Sequence, residues 1–254
     1  MSIMRSLIVI IFTLLFLPVK AEQINIAVAS NFIKPMKKIV QIYEKQSGHK
    51  VVMSFGSSGK FFAQISHGAP YHIFFSADQE KIIALEKANL TIKNSRFTYA
   101  IGALVLWSPT EGYFTDGAAF LADGHFKKLA MANPKLAPYG RAAQEVLAYT
   151  SLSEQVRTKQ VIAENIAQAF QFATTGNAEI GLIALSQVMN NGVISSGSSW
   201  VIPHSYYQPI KQDAAILKRA KNNQVSQDFI AFMRSSEVKS IMTSFGYTTS
   251  QYEH

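Results

Sequence analysis

The sequence predicts an α/β protein of two lobes with a ligand cleft between them, on three observations. Short apolar strands alternate with amphipathic helices along the chain. Strand after strand ends in small hydroxyl or amide residues at the mouth of a helix. Two extended apolar stretches, 97–107 and 201–217, flank the second half and read as crossings between lobes. Open α/β sheets bind ligands beyond the carboxyl ends of their strands, so the helix mouths are expected to face the cleft.

Each element follows from its local pattern. Residues 23–29 (QINIAVA) alternate with period two and read as a strand. Ser30 then stands where a helix N-cap belongs, and Ile33, Met36, Val40 and Tyr43 share one face of a helix reaching about residue 46. Pro35 is tolerated in the first turn, and Gly48 is a natural stop. A second strand spans 49–55, G-S-S-G leads into a helix over 60–66, and an apolar strand over 71–76 ends at Ser76-Ala77-Asp78. In the second half, 128–132 is a strand, 133–141 a loop with two prolines, and 142–149 a helix. Residues 161–163 precede Glu164-Asn165 and a helix over 166–174. The strand at 180–184 is apolar throughout, as expected in a parallel sheet covered on both faces.

The chain has 254 residues, 48% apolar and 16% charged, enough for one large or two modest domains and too apolar for a disordered chain. Residues 1–21 combine Arg5, an apolar run over 7–17 and a small residue at Ala21, the layout of a cleavable signal peptide. The run is short for a membrane span, so an exported, soluble product is expected. The absence of cysteine excludes both a disulfide and a lipid-modified cysteine. Without Arg5 and Lys20, 24 − 2 = 22 basic residues face 16 acidic ones, a formal charge of +6. The basic residues occur as scattered pairs such as Lys37-Lys38 and Lys127-Lys128, with no arginine-rich stripe. Nucleic acid is therefore not an expected partner, whereas a diffuse field favouring small anions is.

Catalysis lacks its parts. His49, His67, His72, His125, His204 and His254 show no metal-ligand spacing, no G-x-S-x-G elbow is present, and no carboxylate pair stands out. No catalytic residue, directly ligated metal ion or cofactor is expected. The segment S-F-G-S-S-G-K at 54–60 resembles a phosphate loop only superficially. Two residues separate its glycines instead of four, and Phe61 stands where a Walker-type loop has its magnesium-binding hydroxyl. What remains is the helix N-terminus itself, whose unpaired N–H groups and partial positive charge accept anions without a formal cation. Ser30 with Asn31, Ser57 with Ser58, Tyr139 with Gly140, and Asn165 with Ile166 stand at four such mouths. A tetrahedral dianion among them would be held by neutral donors, which favour a fully deprotonated oxyanion. Lys60 and Arg141 are expected on their helix surfaces, away from the ligand. On local pattern alone, the simpler reading that Ser30 and Ser58 cap helices stands equal.

The segments A-V-A-S-N-F, S-F-G-S-S-G, F-F-S-A-D-Q, A-N-P-K-L-A-P-Y-G-R-A-A-Q-E-V-L, E-N-I-A-Q-A-F-Q-F, T-G-N-A-E-I-G-L-I-A-L-S-Q-V and Q-D-A-A-I-L resemble, in order, the periplasmic molybdate-binding proteins. The resemblance covers nearly the whole chain after residue 21. It implies a type II periplasmic binding protein fold, and the crossings then divide the chain into lobe 1 (22–101 plus 207–254) and lobe 2 (102–206). It further implies a periplasmic monomer that captures molybdate, and usually tungstate, for an inner-membrane ABC permease. A binding protein for sulfate or another tetrahedral oxyanion is the alternative. By position, the family's oxyanion contacts fall on Ser30 with Asn31 beside it, on Ser58, and on the backbone N–H groups of Tyr139 and Ile166. Two departures are visible. Ala184 stands where some members place a tyrosine, a loss for which the Tyr139 hydroxyl is expected to compensate. Tyr71-His72 replaces the Ala-Asp of many members, with expected consequences for local pairing only.

Overall fold

The computed structural model describes residues 21–194 and 196–249. The signal-peptide expectation falls on residues 1–20, outside the described residues, and on Ala21 at their edge. In chain order the first half contains β1 (Gln23–Ala29), α1 (Ile33–Ser47), β2 (Lys50–Gly56), α2 (Ser58–Ser66), β3 (Ile73–Phe75), α3 (Glu80–Lys87) and β4 (Phe97–Gly102). After Ala103 follow β5 (Leu104–Ser108), α4 (Gly117–Asp123), β6 (Leu129–Ala132), α5 (Pro138–Tyr149), β7 (Gln160–Ala163), α6 (Ile166–Thr174) and β8 (Ile180–Ala184). A small hairpin of β9 (Met189–Asn190) and β10 (Val193–Ile194) leads to β11 (Ser198–Val201). The chain closes with β12 (Ile210–Ile216), α7 (Gln224–Met233) and α8 (Ser236–Ser244).

Two five-stranded sheets result, ordered β2-β1-β3-β12-β4 and β11-β5-β8-β6-β7. In the first, β1 runs parallel to β2 and β3, while β12 is antiparallel to both β3 and β4. In the second, β6 is parallel to β7 and β8, and β5 is antiparallel to β8 and β11. The parallel environment expected around 180–184 is thus only half right. Full burial of that strand reflects coverage of both faces, which a mixed sheet achieves equally well. The chain leaves the first sheet at Ala103 and returns to it between Val201 and Ile210, so 201–217 is not one continuous crossing.

Period-two alternation distributes the strand side chains between two layers. Ile24, Ile26 and Val28 of β1, with Ile73 and Phe75 of β3, pack beneath α1, α7 and α8. Ala27 and Phe74 face the opposite side, where Phe61 and Ile65 of α2 and Ile82 and Leu85 of α3 cover them. The sequence reading names neither α7 nor α8, although both carry side-chain caps. Asn223 Oδ1 accepts from the Ser226 N–H at 2.7 Å, and Ser235 Oγ from the Val238 N–H at 3.3 Å. Another correction concerns α5, which starts at Pro138 rather than 142. Proline is preorganised for the first helical position, so the second proline of the expected loop is the helix start. The apolar strand expected over 71–76 contracts to Ile73–Phe75. Among the described residues, no helix is long and apolar enough to cross a membrane.

Candidate functional site

Three adjacent parallel strands of the first sheet end at one place. β1 delivers Ser30 and Asn31, β2 delivers Ser57 and Ser58, and β3 delivers Ser76 and Ala77. From the second sheet, β6 leads to the Pro138-Tyr139 start of α5, and β7 leads through Asn165 to Ile166 at the start of α6. These ends meet at a small cavity lined by Ser30, Asn31, Ser58, Tyr139 and Ile166 together with Ala29, Gly56, Ser57, Ala77, Ala137 and Pro138. All five residues singled out from the sequence are therefore brought together, and no lining side chain carries a formal charge.

The hydrogen bonds answer whether Ser30 and Ser58 cap their own helices. α1 is preceded by a single 3-10 turn over Ser30–Phe32, and its N-cap position is Phe32, with no side-chain cap. Ser30 Oγ instead accepts from the Ala167 N–H of α6 at 3.4 Å, a bond between the two sheets' helices. In α2 the cap is Ser57, whose Oγ accepts from the Lys60 N–H at 3.4 Å. Ser58 Oγ accepts from the Ala77 N–H at 2.9 Å. Neither Ser30 nor Ser58 caps its own helix. Each hydroxyl has a backbone N–H on an acceptor lone pair, which leaves its proton to be donated.

The helix starts add backbone donors. A helix cannot satisfy its own first N–H groups, and Ser58, Tyr139 and Ile166 occupy first-turn positions in α2, α5 and α6. Asn165 caps α6, its Oδ1 accepting from the Ala167 and Gln168 N–H groups at 3.0 and 3.1 Å, so the Ile166 N–H is not consumed by that cap. α5 sits tightly on the end of β6: a Cβ on Gly140 would fall 2.2 Å from Ala132 O. Gly59 N–H reaches Leu136 O at 2.9 Å, tying the mouth of α2 to the segment before α5.

A layer of buried polar side chains lies beside the cavity, and sequence reasoning missed most of it. Asn31 Nδ2 lies 2.7 Å from Gln212 Oε1 and 2.9 Å from the Tyr247 hydroxyl. Gln212 Nε2 donates to the Tyr139 hydroxyl at 3.3 Å, and the Tyr99 hydroxyl is 3.1 Å from both Gln212 Oε1 and Ser76 O. Ser186 Oγ donates to Asn31 O at 2.8 Å. Burial holds the Tyr99 and Tyr139 hydroxyls well above their usual 10.0 and pushes Tyr247 up to about 12, so all three stay neutral. The Tyr139 hydroxyl thus bonds to Gln212. The signal for Gln212 was present in its polar pair with Asp213 inside an apolar strand, both fully buried. Asp213 serves elsewhere, meeting Arg96 at 3.0 Å and Thr98 Oγ1 at 2.6 Å.

Charge is confined to the rim. Lys60 pairs with Glu164 at 2.8 Å, and Arg141 reaches Glu80 at 2.8 Å and Asp78 at 3.2 Å. Lys34 Nζ donates to Gln187 O. A wider groove outside Ala77 and Pro138 is lined by Asp78, Glu80, Glu145, Arg141 and Lys211; three carboxylates against two cations make it a poor place for an oxyanion. Ala184 does not line the cavity; its N–H is bonded to Gln187 Oε1 at 2.9 Å. His72 Nδ1 accepts from the Asn25 N–H at 2.9 Å, and burial lowers its pKa, so it extends the pairing beside β1.

Comparison with known proteins gives a consistent picture. The family model for "Bacterial extracellular solute-binding protein" matches residues 24–248. A molybdate-binding protein of Azotobacter vinelandii is 46% identical over 228 residues, covering 90% of each chain. One from Rhodobacter capsulatus is 39% identical over 235 residues, covering 92% of each. Among solved structures, the periplasmic molybdate-binding protein of Azotobacter vinelandii superposes with a TM-score of 0.87 and 36% identity, covering 90% of this chain and all of that one.

Proposed function

The chain belongs to the bacterial extracellular solute-binding proteins, in the family of its molybdate-binding relatives, and from that premise we propose that it captures molybdate for an ABC importer. It is a binding protein and not an enzyme. The observation that carries the reading is the cavity at the joint of the two sheets, lined by neutral groups at three helix starts. There the anion accepts from the hydroxyls of Ser30 and Ser58, from the N–H groups of Ser58, Tyr139 and Ile166, and from the side chain of Asn31. With only donors on offer, a fully deprotonated tetrahedral dianion is favoured, and cavity size separates molybdate and tungstate from the smaller sulfate.

The two lobes, 22–101 with 207–254 and 102–206, close on the ligand. Closure brings the first-turn N–H groups of α5 and α6 to an anion already held by Ser30 and Ser58. The same movement forms the Lys60–Glu164 and Arg141–Glu80 pairs at the rim. The closed, monomeric complex then delivers its anion in the periplasm to an inner-membrane permease. A ligand that binds only the folded state raises its stability as RT ln(1 + [L]/Kd), about 4 kcal/mol at a thousandfold excess over Kd. Thermal midpoints with molybdate, tungstate, sulfate and phosphate therefore test the reading. Molybdate and tungstate are expected to raise the midpoint by several degrees at concentrations where sulfate and phosphate do not. An equal or larger shift with sulfate would replace molybdate by another oxyanion.

A further inference from the structure

Among the described residues, one buried side-chain polar atom has no hydrogen-bond partner, and it belongs to a residue lining the cavity: Asn31 Oδ1. Asn31 is 2% exposed, so an unmet acceptor there is costly. The same network has a second fault. The Tyr99 hydroxyl carries one proton, yet it faces two acceptors, Ser76 O and Gln212 Oε1, each at 3.1 Å. Both faults share a cause, because Asn31 Nδ2 is spent on Gln212 Oε1 while Asn31 Oδ1 is left over.

Turning the amides of Asn31 and Gln212 by 180° moves no heavy-atom position and exchanges oxygen for nitrogen in each. Gln212 Nε2 then has two hydrogens for two acceptors, Asn31 Oδ1 at 2.7 Å and the Tyr99 hydroxyl at 3.1 Å. Tyr99 is free to donate to Ser76 O, and Tyr139 donates to Gln212 Oε1 at 3.3 Å. Asn31 Oδ1 also accepts from the Tyr247 hydroxyl at 2.9 Å. The Tyr247 hydroxyl then withdraws its one proton from Asn31 O and Ser186 Oγ, at 3.0 and 2.9 Å, and Ser186 Oγ supplies Asn31 O at 2.8 Å. Each hydroxyl hydrogen of the layer and both of Gln212 Nε2 then meet an acceptor, and the unspent hydrogens are those of Asn31 Nδ2, at the position where Oδ1 stood without a partner.

We propose that Gln212 is the positioning residue for the anion site, donating to Asn31 Oδ1 so that Asn31 presents Nδ2, a donor, and not Oδ1, an acceptor, to the bound anion. The inference rests on the oxyanion reading of the cavity. An amide that can turn either way attracts an anion in one orientation and repels it in the other, so the difference bears directly on affinity. Gln212 sits on β12 next to Gly102, where an added Cβ would fall 2.0 Å from the Tyr139 hydroxyl and 2.7 Å from Gln212 Nε2. The space that a side chain would take at Gly102 is thus filled by the Tyr139 hydroxyl and the Gln212 amide.

A double-mutant cycle with sodium molybdate in titration calorimetry tests this on the full chain. Asn31→Ala is expected to weaken binding about tenfold or more. Gln212→Met, which keeps length and removes both hydrogen-bonding functions, is expected to weaken it at least about fivefold in the wild-type background but less than about twofold in Asn31→Ala. A purely structural role for Gln212 would give the same loss in both backgrounds and would overturn the proposal. If Gln212→Met does not fold, the wild-type side-chain amide resonances decide. Those of Asn31 are expected to shift strongly on molybdate saturation, and unmoved Asn31 resonances overturn the proposal. Absence of any molybdate heat in the wild type would instead sink the oxyanion reading on which it rests.

Discussion

The cavity and its rim lie a few residues apart and handle charge in opposite ways. Inside are Ser30, Asn31, Ser58, Tyr139 and Ile166, all neutral. On the rim are Lys60, Glu164, Arg141, Glu80 and Asp78, all ion-paired. The division is written into each helix mouth, because Ser58 and Lys60, Tyr139 and Arg141, and Ile166 and Glu164 are each two positions apart. Residues two apart on a helix do not share a face. In α2 and α5 the side chain two positions on is therefore carried away from the cavity to the edge, and Glu164 stands before the cap of α6. The difference teaches that the lining offers hydrogen-bond donors without countercharge, while the cations nearby are spent on carboxylates. On the proposed reading, fixed dipoles of the cavity hold the anion, while the formal charges on the rim satisfy one another.

The most disruptive way to break the comparison is to move a charge from rim to cavity. Ser58→Asp places a carboxylate against the dianion, and about 4 kcal/mol per charge pair at an effective dielectric near 20 removes about three orders of magnitude of molybdate affinity. Retained binding in calorimetry would show that the anion sits elsewhere. Removing a neutral donor has a smaller effect: Ser30→Ala loses a hydrogen bond to a charged group, ~1.5–3 kcal/mol, or roughly tenfold to a hundredfold in Kd. Part of that loss reflects the contact with the Ala167 N–H. Gly102→Ala attacks the layer behind the cavity. Its Cβ would fall 2.0 Å from the Tyr139 hydroxyl, and overpacking of this kind costs about 1–3 kcal/mol, read as a lower thermal midpoint of the ligand-free chain.

The neutrality of that layer also has a pH signature. The folded chain holds the protons of Tyr99, Tyr139 and Tyr247 above their usual 10.0, Tyr247 to about 12, whereas the unfolded chain releases its tyrosine protons near pH 10. Their contribution to stability is complete below about pH 10 and is lost as the pH rises toward about 12. Denaturant midpoints that stay constant across that window would contradict the burial of these hydroxyls. The smallest effect belongs to the rim. Glu164→Ala removes a half-exposed pair with Lys60, worth up to about 1 kcal/mol, and is expected to change molybdate affinity less than about fivefold, with the difference fading in high salt.

Much of the inner site was legible because it depends on local order. A strand ending in Ser30-Asn31, a turn with two serines, and an Asn cap before Ile166 are each fixed by a few consecutive residues. The sequence could not decide which serine caps. Ser57 and Ser58 are chemically alike, and only the arrival of Ala77 from β3 separates their roles. The start of α5 was obscured because Pro138 serves a loop or a first helical turn equally well. The layer around Gln212 was hidden for a deeper reason. Asn31, Tyr99, Gln212 and Tyr247 come from distant parts of the chain, and nothing local brings an amide from β12 to within 2.7 Å of the residue after β1.

Two neighbours in one helix turn put the whole contrast into one measurement. Calorimetric titration of molybdate into the wild type, Ser58→Ala and Lys60→Ala compares a neutral inner donor with the cation two positions away. Ser58→Ala is expected to lose about tenfold or more in affinity, and Lys60→Ala less than about fivefold. A loss in Lys60→Ala equal to or greater than that in Ser58→Ala would contradict an anion held by neutral donors and return the recognition to charge.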